Sequence, residues 1–131
     1  MKKYLLIFAI CLFSSAYSLE ATHVDSGSIV NTWTWEKSLG GSDNPYTSTP
    51  KTIGFSKKII FTSNGKVITY KNDVEIRNST YVVEKGTGYF DHAEHDLVTF
   101  EGKTYVIEKL DNQNLTLVSN NSDGARTIYK R

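Results

Sequence analysis

The segment Asp91-His92-Ala93-Glu94-His95-Asp96 has the densest cluster of titratable side chains in this chain. Two imidazoles three positions apart, flanked by carboxylates, are a set that binds transition metals or performs acid–base chemistry. A zinc site needs a third and often a fourth ligand, and His23, the third histidine, lies far away near the N-terminus. We interpret the segment as a polar loop, keep His92 and His95 as the candidate metal ligands, and predict no bound metal or other cofactor.

Other patterns typical of catalysis are missing. No serine lies in a Gly-x-Ser-x-Gly elbow, and Gly40-Gly41 and Gly86-x-Gly88 lack the spacing and the following helix of a phosphate-binding loop. We predict a protein that is not an enzyme. The alternative is a metal-dependent or hydrolytic enzyme in which His92 and His95 converge with a third ligand.

Aromatic residues suggest binding instead. Rings recur roughly once per predicted strand, at Trp35, Phe61, Tyr70, Tyr81, Phe100, Tyr105 and Tyr129. Aromatic walls with phenol hydroxyls are typical of amphipathic pockets, although β-strands favour aromatic residues in filled cores as well. We predict that these residues bind a small molecule, with Tyr46 near its entrance, and keep a solid aromatic core as the alternative.

The N-terminus has the pattern of a secretory signal peptide. Lys2 and Lys3 precede an apolar run over 4–13 that is too short to span a bilayer. Ala16 and Ser18 supply the small residues that signal peptidase reads. We therefore expect cleavage after Ser18 and a secreted or periplasmic protein.

Cleavage there divides the chain into a signal peptide (1–18), a flexible lead-in (19–28) and one domain (29–131). An N-terminal membrane anchor is the alternative. Lipidation of Cys11, the single cysteine, is a further one, although bulky Ile10 departs from the lipobox pattern. The chain after the leader has no thiol, which excludes disulfides, cysteine nucleophiles and cysteine metal sites.

Charge and length limit the partners. Loss of Lys2 and Lys3 from the 15 basic residues leaves 13 against 14 acidic ones, over 113 residues. Positive and negative charges are mixed, so nucleic-acid binding lacks its basic footprint. No later segment is apolar enough to span a membrane, and the length suits one domain with its own core. The oligomeric state does not follow from these features.

Turn residues divide the domain into eight strand-like runs, at 29–37, 57–62, 66–71, 74–85, 97–100, 103–110, 114–119 and 125–130. Asn64-Gly65 predicts a hairpin through a type I′ turn, which needs positive φ at both central residues. A shift of apolar parity predicts a bulge at Asn78-Ser79. Gly86 and Gly88 open a predicted loop through Asp96.

A flat sheet of eight strands would expose two edges, and closure removes them. We therefore predict an all-β fold, an eight-stranded antiparallel up-and-down barrel. The interior of such a barrel is either nearly filled by side chains or holds one small ligand. The longest irregular stretch, 38–56, is predicted to be a functional loop.

The residues also resemble a known family, the lipocalin-like domains of small secreted bacterial proteins of the Bacteroidetes type. The resemblance is carried by NTWTWEKSLGG (31–41), STPKTIGFSKKIIFTSNGKVITYKN (48–72), YFDHAEHDLVTF (89–100) and IYKR (128–131), and it covers nearly the whole domain. It implies a barrel open at one end, with the long loop over the mouth.

The resemblance further implies that Trp33 packs at the closed end against a basic residue, Arg131 or Lys130, in a cation–π contact. The chain departs from the family pattern in three ways. Asn31 replaces a glycine, the disulfide is missing, and no helix follows the predicted barrel.

Together these features predict a secreted, non-enzymatic binding domain that holds a small apolar or amphipathic ligand in the barrel mouth. The alternative is a structural or protein-interaction module of the cell envelope with a solid barrel core. The volume of the barrel interior distinguishes the two.

Overall fold

The computed structural model of the protein describes residues 28–42 and 44–131. Its elements are β1 (Asn31–Leu39), β2 (Thr47–Ser48), α1 (Pro50–Ile53), β3 (Lys57–Phe61), β4 (Lys66–Lys71), β5 (Val74–Thr87), β6 (Glu94–Phe100), β7 (Lys103–Leu110), β8 (Asn114–Ser119) and β9 (Arg126–Lys130). The predicted signal peptide, its cleavage site after Ser18 and nearly all of the predicted lead-in lie outside the described residues.

Eight of the strands form a closed antiparallel barrel in up-and-down order, which confirms the predicted fold class. From β3 to β9 each strand pairs with the next one along the chain, and β1 closes the barrel by pairing with both β3 and β9. Thr34 is the shared position, opposite Lys58 on one side and Lys130 on the other. The short β2 adds two residue pairs at the end of β1.

Two tight turns have the type I′ geometry that was predicted for Asn64-Gly65. Asn72-Asp73 and Glu101-Gly102 have positive φ at both residues, as type I′ turns require. The predicted type I′ turn at Asn64-Gly65 is wrong, because only Gly65 has positive φ. Thr62 N donates to Lys66 O over 2.9 Å, so three residues form that loop, although β3 and β4 still pair as a hairpin.

The bulge in β5 lies two residues earlier than predicted. The register between β4 and β5 shifts at Ile76, whereas the predicted position was Asn78-Ser79. Val74 and Ile76 are exposed, so their shared parity did not mark an inward face. The apolar pattern therefore signalled an irregularity but misplaced it.

The β5–β6 hairpin is longer than predicted. Thr87 pairs with Glu94, and the ladder continues through Asp96, where a loop was expected. Backbone pairing with a partner strand does not require apolar side chains, so the polar composition of this segment was misleading. His95 is thus part of a strand.

The segment between β1 and β3 is ordered by local hydrogen bonds. Thr49 caps α1 by accepting from Thr52 N, and Gly54 ends the helix in the left-handed conformation. Gly40 N donates to Tyr46 O over 2.8 Å. The predicted long loop therefore contains two small elements, β2 and α1. Within the described part of the chain, no helix is both long and apolar enough to cross a membrane.

One half of the barrel interior is tightly packed. The most deeply buried large side chains are Trp33, Phe61, Val67, Val98, Leu115 and Leu117. Phe61 meets the rings of Tyr81 and Phe100 edge to face, with centroids 4.9 and 5.6 Å away. Trp33 Nε1 donates to Ile29 O over 2.9 Å, which satisfies the buried indole. This packing forms the floor of the barrel.

We expect Trp33→Ala to lower the free energy of unfolding by about 3–5 kcal/mol, because it removes a fully buried ring from this floor. Urea denaturation followed by circular dichroism measures the change. Val82→Ala is the control, since Val82 is 56% exposed and should cost no more than about 0.5 kcal/mol. Equal losses in the two variants would contradict a packed floor.

Candidate functional site

A cavity of about 340 Å³ opens at the end of the barrel where β1 ends and β3 begins. Its lining comprises the aromatic Trp35, Phe100, Tyr105 and Tyr129, the aliphatic Ile59 and Leu117, the polar Ser38, Thr69 and Thr127, and the charged Lys57, Lys58, Arg77, Glu101 and Lys103. All eight strands of the barrel therefore contribute to the lining, and β4 and β8 do so through Thr69 and Leu117, each the fourth of six residues in its strand. The space lies above the packed floor.

Trp35 forms one wall of the cavity. The register of β1 against β9 shifts between Trp35 and Lys37, so Glu36 is the extra residue of a bulge. One extra residue brings positions three apart onto the same face of a strand, and Ser38 therefore faces the cavity together with Trp35. The indole Nε1 donates to Ser38 Oγ over 2.9 Å, which fixes the ring.

Two phenol hydroxyls in the cavity are free to bind a ligand. Within residues 28–42 and 44–131, neither Tyr105 nor Tyr129 donates a side-chain hydrogen bond to the protein, whereas the deeper Tyr81 donates to Thr62 O over 2.7 Å. Burial raises the pKa of Tyr105 and Tyr129, and the Glu101 carboxylate adds to both effects. Both phenols therefore stay protonated at neutral pH and can donate to a ligand.

Four of the eight residues predicted to bind a ligand line the cavity, namely Trp35, Phe100, Tyr105 and Tyr129. Phe61 and Tyr81 lie below them and belong to the floor. Tyr70 lies on the outer face of β4, because its neighbour Thr69 faces inward. There the Lys58 ammonium is 5.1 Å from the centroid of the Tyr70 ring. Tyr46 is exposed beyond the end of β1.

Sequence reasoning missed the charged rim of the cavity, defined here as Lys57, Arg77, Glu101 and Lys103. Strand alternation carried a signal for two of them. Lys57 has the parity of Ile59 and Phe61, and Lys103 that of Tyr105. Arg77 lies opposite Thr69, next to the bulge in β5. Because the bulge interrupts the alternation of β5, counting residues along the strand does not predict which face Arg77 occupies.

The predicted contact between Arg131 and Trp33 does not form. Arg131 Nη1 donates instead to Asn112 O over 3.3 Å, and no cation–π contact of the described residues joins Arg131 or Lys130 to an indole. Trp33 is fully buried in the floor. The indole that does have a cation over it is Trp35, 4.6 Å from the Lys57 ammonium.

The two candidate metal ligands do not converge. His95 Nε2 lies 2.8 Å from Asp91 Oδ2, and His92 is exposed with a φ of 55°. Among residues 28–42 and 44–131, no three His, Cys, Asp or Glu side chains group closely enough to hold a metal ion. His23 lies outside the described residues.

A second crevice, of about 360 Å³, lies on the outside of the barrel, beneath the tip of the β5–β6 hairpin. Asn120 ties the tip down by accepting from Tyr89 N over 2.7 Å and donating to Thr87 O over 3.1 Å. Phe90 covers Gly124 and is 59% exposed. One wall of this crevice is formed by the hairpin tip itself, over 88–91.

Comparison of the chain with protein-family models, with curated proteins and with solved structures finds no match. The lipocalin-like identity therefore remains a prediction from the four sequence runs.

We expect Tyr129→Phe to change the free energy of unfolding by less than about 0.5 kcal/mol, because the lost hydroxyl has no protein partner in the described residues. Tyr81→Phe should cost about 1 kcal/mol, because it removes the bond to Thr62 O. Urea denaturation compares the two variants. A loss for Tyr129→Phe as large as that for Tyr81→Phe would mean that its hydroxyl is already bonded within the protein.

We also expect stability to fall at alkaline pH in a way that depends on Tyr129. Burial raises its pKa, so the unfolded chain ionises at about pH 10 while the folded chain keeps the phenol neutral. This contribution is complete below about pH 10 and decreases as the pH rises from there toward the folded-state pKa. Tyr129→Phe should lose less stability between about pH 9 and about pH 11 than the wild type. Exposed Tyr46→Phe is the control; matching losses in all three proteins would refute the assignment.

Proposed function

We propose that the protein is a secreted, non-enzymatic, lipocalin-like binding domain that holds a small amphipathic molecule in the mouth of its barrel. The observation that carries this proposal is the open cavity above the packed floor. The leader sequence supports secretion, and the likeness of the four sequence runs supports the family.

The size and lining of the cavity suit a small molecule. Ligand pockets range from about 300 to 1,000 Å³ and combine apolar walls with a few placed polar groups. Here the rings of Phe100 and Tyr105 stack with centroids 5.1 Å apart and form an apolar wall. The hydroxyls of Tyr105 and Tyr129 supply donors beside it. A ligand with an apolar body and a polar end matches this arrangement.

The alternative, an envelope module with a solid core, requires an interior filled by side chains. The floor meets that requirement, but the upper half of the barrel does not. The cavity therefore favours a bound ligand over the solid-core alternative.

Tryptophan fluorescence should change when decanoate or decanol is added, because Trp35 lines the cavity. The chain has two tryptophans, and Trp33 lies in the floor, so Trp33→Phe should keep the response and Trp35→Phe should lose it. Saturation with one ligand per chain is expected.

Thr127→Phe is expected to abolish the response, because its ring would fill the cavity. Thr80→Phe, on the exposed side of β5, is the matched control and should bind normally. Circular dichroism checks that both variants fold. A flat titration for the folded wild type would favour the solid-core module. Unchanged binding by Thr127→Phe would contradict the cavity as the binding site, because the ligand would then bind elsewhere on the protein.

A further inference from the structure

The charges around the cavity are unevenly distributed. Of its five charged lining residues four are cationic, namely Lys57, Lys58, Arg77 and Lys103, and one is anionic, Glu101. The Lys58 ammonium lies on the outer face of the barrel, over the ring of Tyr70. Two of the cations have protein partners. Lys58 Nζ lies 3.5 Å from Asp73 Oδ1, and Arg77 Nε lies 3.1 Å from Glu101 Oε1. The single carboxylate of the lining is therefore already engaged.

Lys57 and Lys103 are the remaining cations. Neither forms an ion pair with a carboxylate of residues 28–42 or 44–131. Lys103 lies directly across from Phe100 in the β6–β7 ladder, and Phe100 faces the interior, so Lys103 shares that face. Lys57 begins β3 on the opposite side of the mouth. Two unpaired ammonium groups thus flank the entrance.

The surroundings of Lys57 destabilise its charged ammonium and so favour the binding of an anion beside it. Its ammonium lies over the ring of Trp35, a contact that partly replaces water. Burial lowers the pKa of Lys57, and the nearby charges of Arg77 and Lys71 lower it further. Lys71 is directly opposite Lys57 in the β3–β4 ladder. An anion bound here would offset both the lost hydration and the repulsion.

We propose that the cavity selects anionic amphipaths, small molecules with an apolar body and a single carboxylate or similar acid group that lies between Lys57 and Lys103 at the mouth. The body packs against Phe100, Tyr105 and Leu117, on the side of the floor. This inference rests on the proposed function and specifies the ligand class for the same site.

Other ligand charges fit less well. A cationic head would meet Lys57 and Lys103, and the carboxylate of Glu101 is occupied by Arg77. A neutral head can hydrogen-bond to the phenols but leaves both ammonium groups unpaired. The expected order of affinity is therefore decanoate first, decanol second and decylamine last.

The test compares these three ligands, which share one alkyl chain, by the fluorescence of Trp35 in the full mature protein. We expect decanoate to bind about ten-fold more tightly than decanol at low ionic strength, and the difference to shrink as salt is added. Lys57→Met should remove most of this difference by weakening decanoate binding far more than decanol binding, and Lys103→Met should act in the same direction. Lys66→Met, at the exposed start of β4, is the matched control and should behave as the wild type.

The outcomes separate the two proposals. Binding of none of the three ligands by folded protein would overturn the proposed function. Equal binding of decanoate and decanol, unchanged in Lys57→Met and Lys103→Met, would keep the cavity as a binding site and overturn the preference for anions. Circular dichroism of each lysine variant shows that any loss is not a loss of folding.

Discussion

Closure of the sheet through β1 is the constraint on which the rest of the molecule depends. The first half of this strand pairs with β3 and the second half with β9, and Thr34 takes part in both ladders. The same division separates the two tryptophans. Trp33, on the β3 side, fills the floor, whereas Trp35, opposite Tyr129 on the β9 side, lines the cavity. Two rings on one face of one strand thus have different roles.

Polarity inside the barrel increases from the floor to the mouth. Phe61 packs against the rings of Tyr81 and Phe100, the next layer carries the phenols of Tyr105 and Tyr129, and the strand ends carry the charged rim. The order has a simple physical basis. An ammonium group placed as deep as Phe61 would lose its hydration without gaining a partner, whereas at the start of β3 it keeps part of its contact with water.

The sequence was sufficient to predict the barrel, because turn residues and strand lengths are local signals. It was less able to predict the cavity, because lining residues become neighbours only through register across several ladders. Tyr70 illustrates the limit, since its ring type suggested a pocket while alternation with Thr69 places it outside. Arg77 illustrates it again, because the bulge at Ile76 sets its face and apolar parity misplaced that bulge. Strand alternation was enough to place Lys57 and Lys103 on the inner face. Lysines at strand ends are usually solvated, however, so they did not suggest a binding site.

A barrel that served stability alone would have no reason to keep a cavity of about 340 Å³ at its mouth. Larger apolar residues at Thr69 or Thr127 would bury more surface, and a carboxylate opposite Lys57 would relieve its repulsion with Arg77 and Lys71. The chain has neither feature, although large apolar side chains fill the floor of the same barrel. Departures from local optimisation that cluster in one place are typical of functional sites, because a ligand supplies there what the protein omits. The empty volume and the unpaired ammonium groups lie at the same end of the same cavity, so one bound molecule with an apolar body and an acidic head would satisfy both.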